Sequence, residues 1–137
     1  MSPSGVSPVV SCVVADGVAT ITLDSQANRN ALSAQLLVEL HVALDRAIQP
    51  DVRIIVLTHA GSTFCSGIDL KERRSAHFDS APMARAFERL MHCDQVTIAA
   101  VHGAVRAGGV GLMASCDLVV VSTATSFAFT EVRIGVA

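Results

Sequence analysis

Val96-Thr-Ile-Ala-Ala-Val-His-Gly-Ala-Val-Arg-Ala-Gly-Gly-Val-Gly-Leu-Met-Ala-Ser-Cys-Asp117 is the stretch on which the fold turns. Val96 to Val101 reads as a buried strand. The glycine-rich segment Gly103 to Gly111 follows, then a short helix ending near Cys116 and a further strand at Leu118 to Val121. Strand, crossover and strand in that order predict a parallel α/β sheet. As a bare pattern, Gly109-Val-Gly-Leu-Met-Ala114 also matches the dinucleotide fingerprint G-x-G-x-x-A, with Glu131 roughly where a ribose-binding acid belongs. That fingerprint starts at a strand end, however, whereas seven residues separate Val101 from Gly109. The helix before Leu118 is also too short for it. What remains is a glycine pair opening a helix, whose backbone N–H groups suit an anion or a developing oxyanion. A tight helix-to-strand packing contact would want the same small residues.

Working outward, Val9 to Ala15 and Val18 to Leu23 flank Asp16-Gly17, a strong hairpin signal because both turn positions tolerate positive φ. Gln26 to Ala31 reads as loop. Ser33 then caps a helix with Leu36, Leu37, Leu40, Leu44, Ala47 and Ile48 on its apolar face, stopped by Pro50. Ile54 to Leu57 is a continuous apolar run, expected of a strand covered on both faces. His59 to Gly67 reads as loop, and Pro82 to His92 as a helix with Met83, Phe87, Leu90 and Met91 on one side.

Composition narrows the function. The chain has 137 residues, enough for one domain, with 51% hydrophobic and 16% charged residues, which excludes a disordered chain. Ten Lys and Arg against twelve Asp and Glu give a formal net charge of -2, and Trp and Tyr are absent. Neither feature suits a nucleic-acid binder. Apolar stretches are too short to cross a bilayer, and the N-terminal Met-Ser-Pro-Ser-Gly has no signal-peptide character. Cys12, Cys65, Cys93 and Cys116 show no paired spacing, which predicts reduced thiols and a cytoplasmic protein. No metal-ligand motif, G-x-S-x-G or P-loop occurs, so neither a metal nor a separate cofactor is expected. The abrupt apolar stop at Ile134-Gly135-Val136-Ala137 suggests a fragment.

Two further segments carry chemistry. Thr63-Phe-Cys-Ser-Gly-Ile-Asp-Leu-Lys71 follows a buried strand, where α/β sheets bind ligands, and its Ser-Gly turn would bring backbone N–H groups close to one. An ordinary strand-to-helix loop is the plainer reading. In Ser126-Phe-Ala-Phe-Thr-Glu-Val-Arg-Ile-Gly135, Glu131 is the only acid of a mostly apolar tail, a setting that suits general acid/base work. A salt bridge from Glu131 to Arg133 or Arg106 is the alternative.

Together these segments resemble the crotonase family, the enoyl-CoA hydratases and isomerases. Asn28-Arg-Asn-Ala-Leu32, Phe64-Cys-Ser-Gly-Ile-Asp-Leu70, Ala99-Ala-Val-His-Gly103, Ala107-Gly-Gly, Cys116-Asp117 and Phe127 to Gly135 fall in its order and spacing. The resemblance covers nearly the whole chain but only the N-terminal part of a family member. It implies an α/β spiral of β-β-α turns over residues 1–137, without the C-terminal helices that build trimers or hexamers. It further implies that the backbone N–H groups of Ile68 and Gly108 form an oxyanion hole for a thioester carbonyl. Ser66, Gly67, Asp69, Leu70 and Lys71 would bind coenzyme A, with Lys71 and Arg29 meeting its phosphates; a solvated charged face is the alternative for each cation. Hydratases of the family generally use two glutamates. The second matches Glu131, but the first falls on Gly111, which has no side chain to act as acid or base. Gly111 together with Thr130-Glu-Val-Arg-Ile-Gly135 resembles a bacterial branch of hydratases, so the resemblance implies an enoyl-CoA hydratase with a single glutamate, although the carboxylate count favours an isomerase. A double-bond isomerase using the same glutamate is the runner-up, and a non-catalytic acyl-CoA-binding homologue or inactive fragment a further alternative.

Overall fold

The computed structural model describes residues 5–135. The first four residues and the last two, on which the readings of a leaderless N-terminus and of the Val136-Ala137 stop partly fell, lie outside the described residues. Strands β1 (Val10–Ala15) and β2 (Val18–Leu23) pair antiparallel from Val10↔Leu23 to Ala15↔Val18. Asp16 and Gly17 both take positive φ (53° and 79°) in the turn, as the Asp-Gly signal requires. Helix α1 (Ala34–Ala47) opens at Ser33, whose hydroxyl accepts from the Leu36 N–H at 3.1 Å. Its apolar stripe, Leu36, Leu37, Leu40, Ala43, Leu44 and Ala47, is buried.

From there the chain climbs in a spiral. Each turn places one strand in a large sheet and a short one in a small sheet: β3 (Ile54–His59) and β4 (Thr63–Cys65), β5 (Val96–Val101) and β6 (Ala104–Arg106), then β7 (Leu118–Val121) and β8 (Phe127–Ala128). The large sheet runs β1-β2-β3-β5-β7, parallel from β2 onward, and the small one runs β4-β6-β8, parallel throughout. Between the turns lie α2 (Leu70–Arg73), α3 (Ala81–His92) and α4 (Gly108–Ala114). The core sits where α1 covers one face of the large sheet: Ala19, Ile21, Leu23, Ile55, Leu57 and Ala99 are fully buried.

The structure corrects three expectations. Residues 59–67 are not simply loop, because β4 forms there; β6 likewise forms within the glycine-rich segment, where α4 opens at the glycine pair as read. In β3, Ile55 and Leu57 are buried while Ile54 and Val56 are only half-buried, so α1 covers one face and the other stays partly open. Met91 is 50% exposed and does not belong to the apolar side of α3, whose buried residues are Ala86 and Leu90. Strand β7 is the edge of the large sheet, and all four of its residues are exposed.

Candidate active site

Two segments meet at the carboxyl ends of the small sheet. The loop after β4 is held from one side by Asn28–Leu32: the Ser66 hydroxyl donates to the Asn28 carbonyl at 3.0 Å, and the Leu32 N–H donates to the Gly67 carbonyl at 2.7 Å. Asn30 braces the same region from within, its Oδ1 accepting from the Ser25 N–H at 2.6 Å and its Nδ2 donating to the Thr63 carbonyl at 2.9 Å. From the other side, residues 106–108 pack directly on Gly67. This glycine has φ +96°, and a Cβ on it would lie 2.7 Å from Ala107 Cβ and 3.1 Å from Gly108 N. Only a residue without a side chain permits that approach.

Ala107 carries the strain of the junction, with φ 53° and ψ −126°. Such a conformation costs a non-glycine residue about 1–3 kcal/mol. The Ala107 N–H, donated to the Ala128 carbonyl at 2.9 Å, holds it there. Gly108 then opens α4. Among the described residues, the backbone N–H groups of Ile68 and Gly108 have no hydrogen-bond partner. The helix-opening and packing readings of the glycine pair both apply, to different residues. Gly108 faces the cavity, while a Cβ on Gly109 would meet the Cys65 carbonyl oxygen at 2.6 Å, so Gly109 serves close packing on β4.

The third component arrives by strand pairing. β8 aligns Ala128 with Arg106, and the 3-10 turn Thr130–Ile134 that follows brings Glu131 beside Gly108. Glu131 Oε2 is buried and without a hydrogen-bond partner. Arg106 does not reach it: that guanidinium donates to the Val105 and Ser126 carbonyls and to the Ser126 hydroxyl. Among the described residues the one ion pair is Arg89–Asp45, so the salt-bridge alternative for Glu131 is not taken up.

The resulting cavity, about 90 Å³, is lined by Ser66, Ile68, Leu70, Ala107, Gly108, Glu131 and three residues that the sequence did not single out, Arg73, Thr130 and Ile134. A larger groove of about 630 Å³ runs between α1 and residues 72–85; it holds none of the sequence candidates, and Leu32, one of its lining residues, lies 3.4 Å from the position of a Cβ on Gly108. Of the remaining candidates, Gly67 sits behind the cavity wall. Asp69 is the cap of α2, its Oδ1 accepting from the Lys71 N–H at 2.9 Å and the Glu72 N–H at 3.3 Å. Arg29 and Lys71 are exposed and outside the lining. Gly111 lies on the next turn of α4, where a Cβ would be 2.9 Å from Phe87 Cε2, so Phe87 occupies the space a side chain would need.

Cys65 and Cys116 are not reactive groups here, because burial pushes both thiols up to about 12. Among the described residues, no group of three His, Cys, Asp or Glu could hold a metal ion, and no helix is long and apolar enough to cross a membrane. The dinucleotide fingerprint fails on geometry: Gly109 to Ala114 lies within α4 rather than in a strand-to-helix turn.

The fold is an α/β spiral in which a residue with a buried, unpartnered carboxylate oxygen, Glu131, and two residues with free backbone donors, Ile68 and Gly108, line one cavity. A family model described as enoyl-CoA hydratase/isomerase matches residues 14–137, and the chain belongs to that family. It is 36% identical to 4-chlorobenzoyl coenzyme A dehalogenase-2 of an Arthrobacter species, over 89% of this chain and 48% of that one. It is 32% identical to the peroxisomal Delta(3,5)-Delta(2,4)-dienoyl-CoA isomerase of Arabidopsis thaliana, over 85% of this chain and 48% of the relative. Among solved structures, an enoyl-CoA hydratase from Mycobacterium avium superposes with a TM-score of 0.85 at 40% identity, covering 96% of this chain and 54% of that one. The chain thus spans about half the length of the relatives it matches, and their names cover three different reactions.

Proposed function

We propose that the protein is an enoyl-CoA hydratase, adding water across the double bond of a 2-enoyl-CoA thioester. The observation that carries this reading is the single cavity lined by Glu131, whose Oε2 is buried and unpartnered, and by Ile68 and Gly108, whose backbone N–H groups are free. Glu131 takes a proton from water as the water oxygen bonds to C3. The double-bond electrons move through C2 onto the thioester oxygen, giving an enolate. The Ile68 and Gly108 N–H groups hold that oxygen, at about 3 kcal/mol for each donor in comparable sites. Glu131 returns the proton to C2, and the carbonyl reforms.

A single carboxylate can serve both proton transfers if another group positions the water. Thr130 suits this: it lines the cavity and precedes Glu131 in the same turn. Ser66 and Leu70 would run along the pantetheine arm, and Lys71 and Arg29, exposed at the surface, would meet the phosphates of coenzyme A.

One observation favours isomerisation as a second reading. Glu131 is the one carboxylate in the lining, and Phe87 fills the space at Gly111, so a second acid is not available there. A 1,3-proton shift needs only one. The two readings separate by assaying crotonyl-CoA for loss of its conjugated thioester absorbance and 3-hexenoyl-CoA for its gain. Hydration of crotonyl-CoA is expected. Conversion of 3-hexenoyl-CoA with no hydration overturns the hydratase reading in favour of the isomerase, and neither reaction points to a non-catalytic acyl-CoA binder.

A further inference from the structure

The Ile68 N–H is only as well aimed as the peptide that carries it. A trans peptide sets its C=O and N–H on opposite edges of one plane, so whatever holds the Gly67 carbonyl also aims the Ile68 N–H. The Leu32 N–H holds that carbonyl at 2.7 Å, and Leu32 pairs with Ile68 in an isolated parallel bridge that leaves the Ile68 N–H pointing away from Leu32. Gly67 has no side chain, so local sterics restrain the peptide after it very little. Hydrogen bonds to either side must do so.

On the upstream side, the Ser66 hydroxyl donates to the Asn28 carbonyl at 3.0 Å. On the downstream side the tie is Glu72. Its Oε2 accepts from the Ala34 N–H at 2.8 Å, at the opening of α1, where a carboxylate also meets the positive end of the helix dipole. Among the described residues this is the one hydrogen bond from an α2 side chain to α1, since Asp69 is engaged within α2 by the Lys71 and Glu72 N–H groups. Glu72 borders the larger groove and not the reaction cavity, so it acts on the chemistry only through the backbone it holds. We propose that Glu72 is a positioning residue for the oxyanion hole: it fastens α2 to the start of α1 and so keeps the Ile68 N–H aimed into the cavity. This rests on the acyl-thioester reading given above.

Acetoacetyl-CoA and butyryl-CoA serve as probes. Both carry four-carbon acyl groups and neither can be hydrated, but the first readily forms an enolate while the second offers a neutral carbonyl. General loosening of the site weakens both alike, whereas a misaimed donor weakens the enolate selectively. Calorimetric titration of the wild-type protein under mildly alkaline conditions is expected to show acetoacetyl-CoA binding at least about 30-fold more tightly. Glu72→Ala is expected to lower that ratio about 10-fold. Glu72→Asp, one methylene too short to reach Ala34, should lower it similarly, so the test does not depend on one variant folding. Glu72→Gln, whose amide oxygen still accepts the Ala34 N–H, keeps the ratio within about 3-fold of the wild type. Glu39→Ala is the control: Glu39 Oε1 ties α1 to the Val9 and Val10 N–H groups at 2.8 and 3.2 Å, a bond of the same kind away from the site, and its loss keeps the ratio. Melting temperatures establish which variants fold. A ratio unchanged in the folded Ala and Asp variants overturns the proposal alone. So does a Gln variant that falls as far as they do, or a Glu39→Ala protein that falls with them. A wild-type ratio near 1 overturns the oxyanion hole and the proposal together, and if neither thioester binds the wild-type protein the acyl-CoA reading itself fails.

Discussion

Gly67→Ala places a methyl group at the junction on which the site depends. Gly67 has φ +96°, and the added Cβ would stand 2.7 Å from Ala107 Cβ, 3.1 Å from Gly108 N and 3.3 Å from the Arg106 carbonyl oxygen. Positive φ alone costs an alanine about 1–2 kcal/mol. Carbon atoms pack best at about 3.5–4.0 Å, so the loop at 66–68 and the segment at 106–108 must separate by about 1 Å. Overpacking of that kind costs about 1–3 kcal/mol. The sum, about 2–5 kcal/mol, corresponds to a melting temperature lower by roughly 7–17 °C for a chain of this size. Gly135→Ala isolates the backbone part: Gly135 has φ +71° with nothing within 4 Å of its Cβ position, so only the first cost applies. The Ile68 and Gly108 donors move apart with the two segments, and a displacement of about 1 Å lowers turnover about 100-fold. Crotonyl-CoA turnover below both melting temperatures reads the second effect, and thermal unfolding the first. A Gly67→Ala protein that melts no lower than Gly135→Ala and turns over normally would refute the geometry.

Two further outcomes follow from buried polar groups. Asn30→Leu should destabilise by about 2–4 kcal/mol, measured by urea unfolding, because it strands the buried Ser25 N–H and removes the donor to the Thr63 carbonyl; a loss below half a kcal/mol would contradict this. His59 is held neutral: burial, and secondarily its neighbour His102, push its pKa below 6.5, while its Nε2 accepts the His102 N–H at 3.0 Å. Its contribution to stability is therefore present above pH 6.5 and is lost as pH falls from there through the lower folded-state value. His59→Gln should flatten the dependence of the urea midpoint on pH between about 7.5 and 5.5. An unchanged slope would assign that dependence to other groups.

The sequence made legible whatever repeats often enough to show a period or carries a specific turn residue. The Asp16-Gly17 hairpin and the Ser33-capped stripe of α1 are of this kind. β4, β6 and β8 have three, three and two residues, too few for alternation to appear, so the small sheet under the site went unread. Ile68 and Gly108 came from motif resemblance rather than periodicity, because backbone N–H groups leave no mark in side-chain chemistry, whereas Glu131 stood out as the only acid of a mostly apolar tail. Arg73 was within reach. It stands three residues after Leu70 on α2, and that spacing puts both on one face. Asp69 likewise stands immediately before α2, where an aspartate signals a cap more directly than a ligand.

The central claim is that Glu131 performs the proton transfers, and Glu131→Gln tests it most directly, because the amide keeps the shape and cannot take up the proton. With crotonyl-CoA as substrate, kcat should fall by about 10²–10⁴-fold. Thioester affinity and melting temperature should stay close to those of the wild type. Full turnover by a folded Glu131→Gln protein would contradict the account.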